Sequence, residues 1–128
     1  LLMPFSALEN VLLGAVFGQG HQRGTRVRAE FLLERVGLRD RLHHRPNELS
    51  LGQAQRVAMC RALINDPELI LADEPLGNQD KETGQEVLAL LLELASESER
   101  TVLMVTHSPE SAEQMQRTVD LAELRRAS

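Results

Sequence analysis

Leu69-Ile70-Leu71-Ala72-Asp73-Glu74-Pro75 reads as a short apolar strand that ends in two adjacent carboxylates and is stopped by proline. Pro67 bounds it on the other side, so the strand covers about Glu68 to Asp73. A turn-rich stretch follows, Leu76-Gly77-Asn78-Gln79-Asp80. Residues 81–96 then carry Val87, Leu90, Leu91 and Leu94 at i, i+3, i+4 and i+7, with Leu88 and Leu92 widening the stripe. That pattern predicts a long helix buried over much of its surface. Thr101 to Thr106 (TVLMVT) is a second apolar, β-branched strand. Strand, helix, strand in this order predicts a βαβ unit with parallel strands and a right-handed crossover.

In parallel α/β sheets, ligands collect outside the carboxyl ends of the strands. Asp73 and Glu74 end one strand and His107 ends the other, so neighbouring strands bring all three to one edge. Asp73 is placed to hold Mg²⁺ directly or through water, because that ion favours one or two carboxylates plus phosphates. Glu74 is placed to polarise a water attacking in line. His107 is placed to donate to a phosphate oxygen as charge builds. The plainer alternatives are an apolar strand that ends in Asp-Glu by chance and a histidine that caps or is solvated.

The preceding segment, Leu49-Ser50-Leu51-Gly52-Gln53-Ala54-Gln55-Arg56, opens a helix that ends at Asn65-Asp66-Pro67. A helix start carries free N–H groups and the positive end of the macrodipole, and it attracts phosphate. Gly52 permits close backbone approach, Ser50 offers a hydroxyl, and Gln53 follows on the first turn. The alternative is a simple N-cap serine on an amphipathic helix whose core stripe is Val57, Cys60 and Ile64. Upstream, Ser6 and Glu9 have capping-box spacing, and Leu8, Val11, Leu12 and Ala15 share one face of a helix over residues 6–17. Gly18 to Gly24 reads as a loop. A helix from about Thr25 to Val36 is expected to turn Val27, Phe31, Leu32 and the Arg35-Val36 end inward and to end at Gly37. Arg39 to Asn47 is a charged connector with His43 and His44, read as solvated. After His107, a short helix is expected over 109–117 and a possible third strand over 118–121. There is no internal repeat.

The composition narrows the classes. At 128 residues, 42% hydrophobic and 26% charged, the chain can bury a core as one ordinary domain. A net charge of −5, three Phe and no Tyr or Trp argue against a general nucleic-acid binder, which would be basic and aromatic. The single cysteine, Cys60, leaves no internal disulfide and suits a reducing compartment. The longest apolar runs, such as Leu88 to Leu92, are far too short to span a membrane. Leu1 is not Met, and the start reads as a cut point.

Taken together, these motifs resemble those of the ATP-binding cassette (ABC) ATPases. Leu49 to Gln53 is similar to the family's LSGGQ signature, with Leu51 in place of the first glycine. Gln55-Arg56-Val57-Ala58 and Arg61-Ala62-Leu63 resemble the helix that follows. Leu69 to Pro75 resembles Walker B with its catalytic glutamate, Gly77 to Asp80 the D-loop, and Val105-Thr106-His107 the switch histidine. The Glu-Pro-x-Gly-Asn-x-Asp spelling, with Ala7-Leu8-Glu9-Asn10-Val11, is most similar to the lipoprotein-releasing and macrolide-export subfamily.

The resemblance implies an α/β fold: a partial P-loop NTPase (RecA-like) core with parallel strands, preceded by a helical subdomain. Residues 1–65 would be that subdomain, ending in the signature helix, and residues 66–128 the second half of the core. It implies ATP and Mg²⁺ as cofactors. It implies Glu74 and His107 as catalytic residues, Asp73 at the metal, and Asp80 in the D-loop. Ser50, Gly52 and Gln53 would act on the ATP of a partner ATPase subunit in a head-to-tail dimer. A membrane permease would be the second partner, holding the protein at the cytoplasmic face, with no direct nucleic-acid contact. No G-x-x-x-x-G-K-[ST] loop occurs in these residues, so the chain alone is expected not to bind ATP usefully. Two other readings stand beside this one. One is a soluble ABC ATPase acting on nucleic acid or ribosomes, disfavoured by the short spacing and acidic charge. The other is a non-enzymatic remnant serving as an interaction module.

Overall fold

The computed structural model describes residues 1–17, 23–75 and 81–121. Most of the predicted Gly18–Gly24 loop, the Leu76–Asp80 turn with Asp80, and the C-terminal tail lie outside these.

The first helix, α1 (Ala7–Phe17), begins with the reciprocal pair expected of Ser6 and Glu9. The Ser6 N–H donates to Glu9 Oε2 at 2.7 Å, and the Glu9 N–H donates to Ser6 Oγ at 3.3 Å. Asn10, fully buried, fastens the segment ahead of the helix. Its Oδ1 accepts from the Leu2 N–H at 2.8 Å, and its Nδ2 donates to the carbonyls of Leu2, Phe5 and Ser6. The first helical amides, Ala7 and Leu8, donate to the carbonyls of His44 and Leu42 at 2.8 and 2.9 Å. The charged connector therefore satisfies donors that a helix start leaves free. That connector contains two 3₁₀ turns, Arg39–Arg41 and Pro46–Glu48.

Helix α2 (Thr25–Arg35) closes as predicted at Gly37, whose φ of 76° is left-handed. The Leu38 N–H reaches Leu33 O at 2.8 Å and the Gly37 N–H reaches Glu34 O at 2.9 Å, the paired bonds of a glycine-terminated helix. Its inner face matches the expectation at Leu32 and Val36 and differs from it at Val27 and Phe31. Ala29, Leu32, Leu33 and Val36 are buried, whereas Val27 is 70% and Phe31 56% exposed. Two residues either side of Ala29 means about 200° around a helix of 3.6 residues per turn, so once Ala29 turns inward both must face out.

Helix α3 (Leu51–Leu63) packs on α1 at close range and buries Val57, Cys60 and Leu63, with Ile64 just beyond its end. Arg28 of α2 caps its C-terminus, donating to Ile64 O at 2.9 Å and to Leu63 O at 3.3 Å. Arg28 also meets Asp66, which in turn is bonded to the largely buried Arg100 at the start of the second strand.

Strands β1 (Leu69–Asp73) and β2 (Thr101–Val105) pair in parallel, from Leu69 opposite Thr101 to Asp73 opposite Val105. Helix α4 (Lys81–Ser96) joins them, burying Val87, Leu88, Leu91 and Leu94 as its periodicity predicts. It is tied to the helical layer by Arg35 to Glu93 and Glu97, at 3.2 and 2.7 Å, and by Arg56 to Glu86 at 3.1 Å. One buried cluster runs from α1, α2 and α3 through Ile70 of β1 to Leu91 and Leu94 of α4. Only one face of the sheet is covered among the described residues: Ile70 is buried, but Leu71 is 71% and Leu103 58% exposed on the other face.

The C-terminal expectations are corrected. Helix α5 spans only Pro109–Ala112, not 109–117, and no strand forms over 118–121. The helix stops because the Ala112 carbonyl accepts from Met115 N–H and from Thr118 Oγ1, each at 3.1 Å. Those bonds take the acceptor that a fourth-residue helical amide would need.

Candidate functional site

The parallel register carries one residue past each strand, so that Glu74 stands beside Thr106 and His107 follows. The Glu74 N–H donates to Val105 O at 2.9 Å. Its φ of 42° is left-handed, a conformation that non-glycine residues keep only where the surroundings over-determine it. The carboxylate is held from one side: Thr106 Oγ1 donates to Oε2 at 3.3 Å. The other oxygen, Oε1, is shielded from solvent yet has no hydrogen-bond donor among the described residues. His107 Nε2 lies 3.7 Å from it, on a side chain that is 98% exposed. A shielded carboxylate oxygen without a donor is costly, and it suits a donor that arrives with a ligand. Asp73 is exposed, at the end of β1 and in alternation with Leu69 and Leu71. Asp73, Glu74 and His107 thus meet at the carboxyl edge, as predicted from the strand order.

Ser50, Gly52 and Gln53 form a second cluster at the start of α3. The Gln53 N–H donates to Ser50 Oγ at 3.2 Å, and the Ser50 N–H donates to Gln53 Oε1 at 3.0 Å. The cap reading is therefore correct, and it does not exclude anion binding. The capping pair uses only acceptors of the two side chains, so the Ser50 hydroxyl proton and the Gln53 amide protons are not consumed by it. Donors are what a phosphate needs. Gly52 is buried, and Leu51 is 57% exposed, so its extra bulk projects outward. Among the described residues, no hydrogen bond or ion pair joins this cluster to Asp73, Glu74 or His107. Asp80 lies outside the described residues.

Other groups carry no comparable chemistry. Burial pushes the Cys60 thiol up to about 12, which removes it as a nucleophile. His43 is exposed, and the half-buried His44 lies 2.9 Å from Arg41 Nη1. A cavity of about 300 Å³ between α1 and α3 is lined chiefly by apolar groups, among them Leu2, Leu13 and Phe17. The sequence reading named Thr106 only as a neighbour of His107. Its contact with Glu74 becomes visible once the strand register is known.

A parallel strand pair whose carboxyl edge carries Asp-Glu and His has the arrangement at which open α/β sheets collect ligands, and the same chain holds a serine-capped helix start at α3. The chain belongs to the ABC transporter family: a profile of that description matches residues 2–77. It is 51% identical over 123 residues to a macrolide export ATP-binding/permease protein, MacB, of Bartonella henselae, covering 96% of this chain and 18% of the relative. It is 47% identical over 121 residues to a lipoprotein-releasing system ATP-binding protein, LolD, of Syntrophus aciditrophicus, covering 94% of this chain and 54% of that one. The dimeric structure of MJ0796, a bacterial ABC transporter cassette, superposes with a TM-score of 0.74 at 43% identity, over 88% of this chain and 50% of that chain. A post-hydrolysis dimer of the same cassette, bound to ADP and Pi, gives a TM-score of 0.73. The fold is thus that of a partial P-loop NTPase, and the chain spans about half the length of LolD.

Proposed function

We propose that these residues form the signature and hydrolytic part of an ATP-driven transporter subunit of the LolD and MacB kind. The observation that carries this reading is the Glu74 carboxylate at the sheet edge, with one oxygen held by Thr106 and the other shielded, without a donor among the described residues and beside His107. Glu74 Oε1 accepts a hydrogen bond from a water and aligns it for attack on the terminal phosphate. His107 donates to phosphate oxygens from the exposed side. Asp73 is the residue that would hold Mg²⁺. Among the described residues no three carboxylate, histidine or cysteine side chains cluster as a metal cage. Mg²⁺ commonly takes one or two carboxylates together with substrate phosphates. When bound, Mg²⁺ supplies positive charge against the phosphates.

Ser50, Gly52 and Gln53 serve the nucleotide of a second ATPase subunit, and Asp80, in the stretch that resembles the D-loop, contributes to nucleotide binding. The dimeric MJ0796 cassette supports such an arrangement. A permease, in keeping with the transport systems named for the relatives, holds the subunit at the cytoplasmic face of a membrane. No helix among the described residues is long and apolar enough to cross one itself. On this reading residues 1–65 are a helical subdomain and 66–128 half of the nucleotide core. The phosphate-cradling loop is supplied from outside these residues, so residues 1–128 alone bind ATP too weakly to be measured by calorimetry.

The test is Glu74→Gln in the full-length gene product. ATP binding is expected to persist while turnover falls by about a hundredfold or more. Unchanged turnover would overturn the assignment.

A further inference from the structure

We infer that Thr106 is a positioning residue for the Glu74 carboxylate, fixing which of its two oxygens faces the attacking water. The inference rests on the reading of Glu74 as the group that aligns that water. Three observations carry it. First, Thr106 stands just past the end of β2, where the parallel pairing sets it beside Glu74, itself held by its N–H to Val105 O. Second, the hydroxyl has a defined direction. The Ser108 N–H donates to Thr106 Oγ1 at 3.1 Å, which occupies an acceptor lone pair and leaves the O–H to donate to Glu74 Oε2 at 3.3 Å. Third, the bond divides the carboxylate into unlike halves: Oε2 is partnered, whereas Oε1 is shielded and has no donor among the described residues.

Rotation about the last of the three side-chain bonds of Glu74 would otherwise present either oxygen. The threonine removes that freedom. It also anchors the turn into α5, because Ser108 is the cap residue of that helix, its Oγ accepting from Ser111 N–H at 3.2 Å. The segment carrying His107 is therefore linked to the position of Glu74 through one hydroxyl. Loss of such alignment is a geometric effect on the reacting water and leaves nucleotide affinity alone.

The experiment is steady-state ATP hydrolysis and equilibrium ATP binding by the full-length gene product. Thr106→Val, Thr106→Ala and Thr106→Ser are compared, each in the wild-type and the Glu74→Gln background. Both hydroxyl-free variants are expected to lower kcat by roughly tenfold or more with KM and ATP affinity little changed, and Thr106→Ser is expected to restore kcat to within about twofold. In the Glu74→Gln background the threonine changes are expected to add nothing further. Wild-type kcat in Thr106→Ala, or a Thr106→Ser as slow as Thr106→Ala, would overturn the inference. So would a further equal drop in the Glu74→Gln background, because Thr106 would then act independently of Glu74. Full turnover by Glu74→Gln alone overturns the water-aligning role itself, a failure distinct from one confined to Thr106.

Discussion

Gly14 is a point of close approach between α1 and α3, and Gly14→Ala tests whether that contact holds the signature helix in place. A Cβ on Gly14 would lie 2.5 Å from the Arg61 carbonyl oxygen, 2.9 Å from Arg61 Cγ and 3.0 Å from Ile64 Cγ2. Favourable contacts between heavy atoms lie near 3.5–4.0 Å, so the two helices must part by roughly 0.5–1 Å. The nearest atom is backbone, and no rotamer change relieves it. Parting also stretches the bond from Asn65 Nδ2 to Gly14 O, now 2.8 Å. Overpacking of this kind costs about 1–3 kcal/mol. The helix preference of alanine over glycine returns about 0.5–1 kcal/mol. The net expectation is a loss of about 1–2 kcal/mol, or about 0.5–1 M in urea midpoint at an ordinary m-value. The assay is urea unfolding of residues 1–128 followed by circular dichroism, with Gly14→Val expected to be worse. A midpoint unchanged or raised in Gly14→Ala would show that the helices are not in the contact described, and that propensity decides the outcome.

Two further outcomes are expected. Ser50→Asp retains a good cap and should keep stability within about 0.5 kcal/mol, yet it replaces a hydroxyl donor with a carboxylate. ATP-dependent dimerisation of the full-length gene product, read by size-exclusion chromatography, should then be lost; an unaltered dimer would remove the α3 start from any nucleotide site. The hydrogen bond from Arg100, with the nearby Arg28 charge, holds the Asp66 carboxyl below its ordinary value. A depressed folded value means the contribution is present above the unfolded value, near pH 4, and is lost as pH falls through the folded value. Wild type should therefore exceed Asp66→Asn in urea midpoint at pH 7 and approach it at pH 3. Asn tolerates the left-handed φ of 55° at this position, so a gap independent of pH would refute the ionic account.

What could be read from the residues depended on how local the deciding interactions are. The bounds of α4, the glycine end of α2 and the Ser6–Glu9 pair are all set within one or two turns of chain, and each is found as expected; the Ser50–Gln53 pair is as local, but the sequence reading names only its serine cap, as the plainer alternative. The inner face of α2 is set by which row meets α1 and α3. Val27 and Phe31 are apolar enough for either side, so composition could not choose. The end of α5 depends on Thr118 reaching back to Ala112, a side-chain competition that periodicity does not register. Within the site, Asp73, Glu74 and His107 follow from strand order alone. The contact of Thr106 with Glu74 joins residues 32 apart and requires the register to be known.

The two clusters differ in hydrogen-bonding sense, and this bears on how they act. At the start of α3 the cap consumes acceptors and leaves donors, so that end can meet an anion directly. The edge of the sheet is the reverse: Asp73 and Glu74 offer acceptors, which repel phosphate unless a cation or a water stands between. A nucleotide phosphate can use both only when each meets a different part of it, donors on its oxygens and carboxylates on its metal and its attacking water. Defects in the two clusters should therefore separate. Changes at Ser50 or Gln53 weaken association on ATP, whereas changes at Glu74 or Thr106 leave association intact and slow turnover. A chain in which both kinds of change produced one common defect would be using a single merged site, and the division drawn from the hydrogen-bond directions would be wrong.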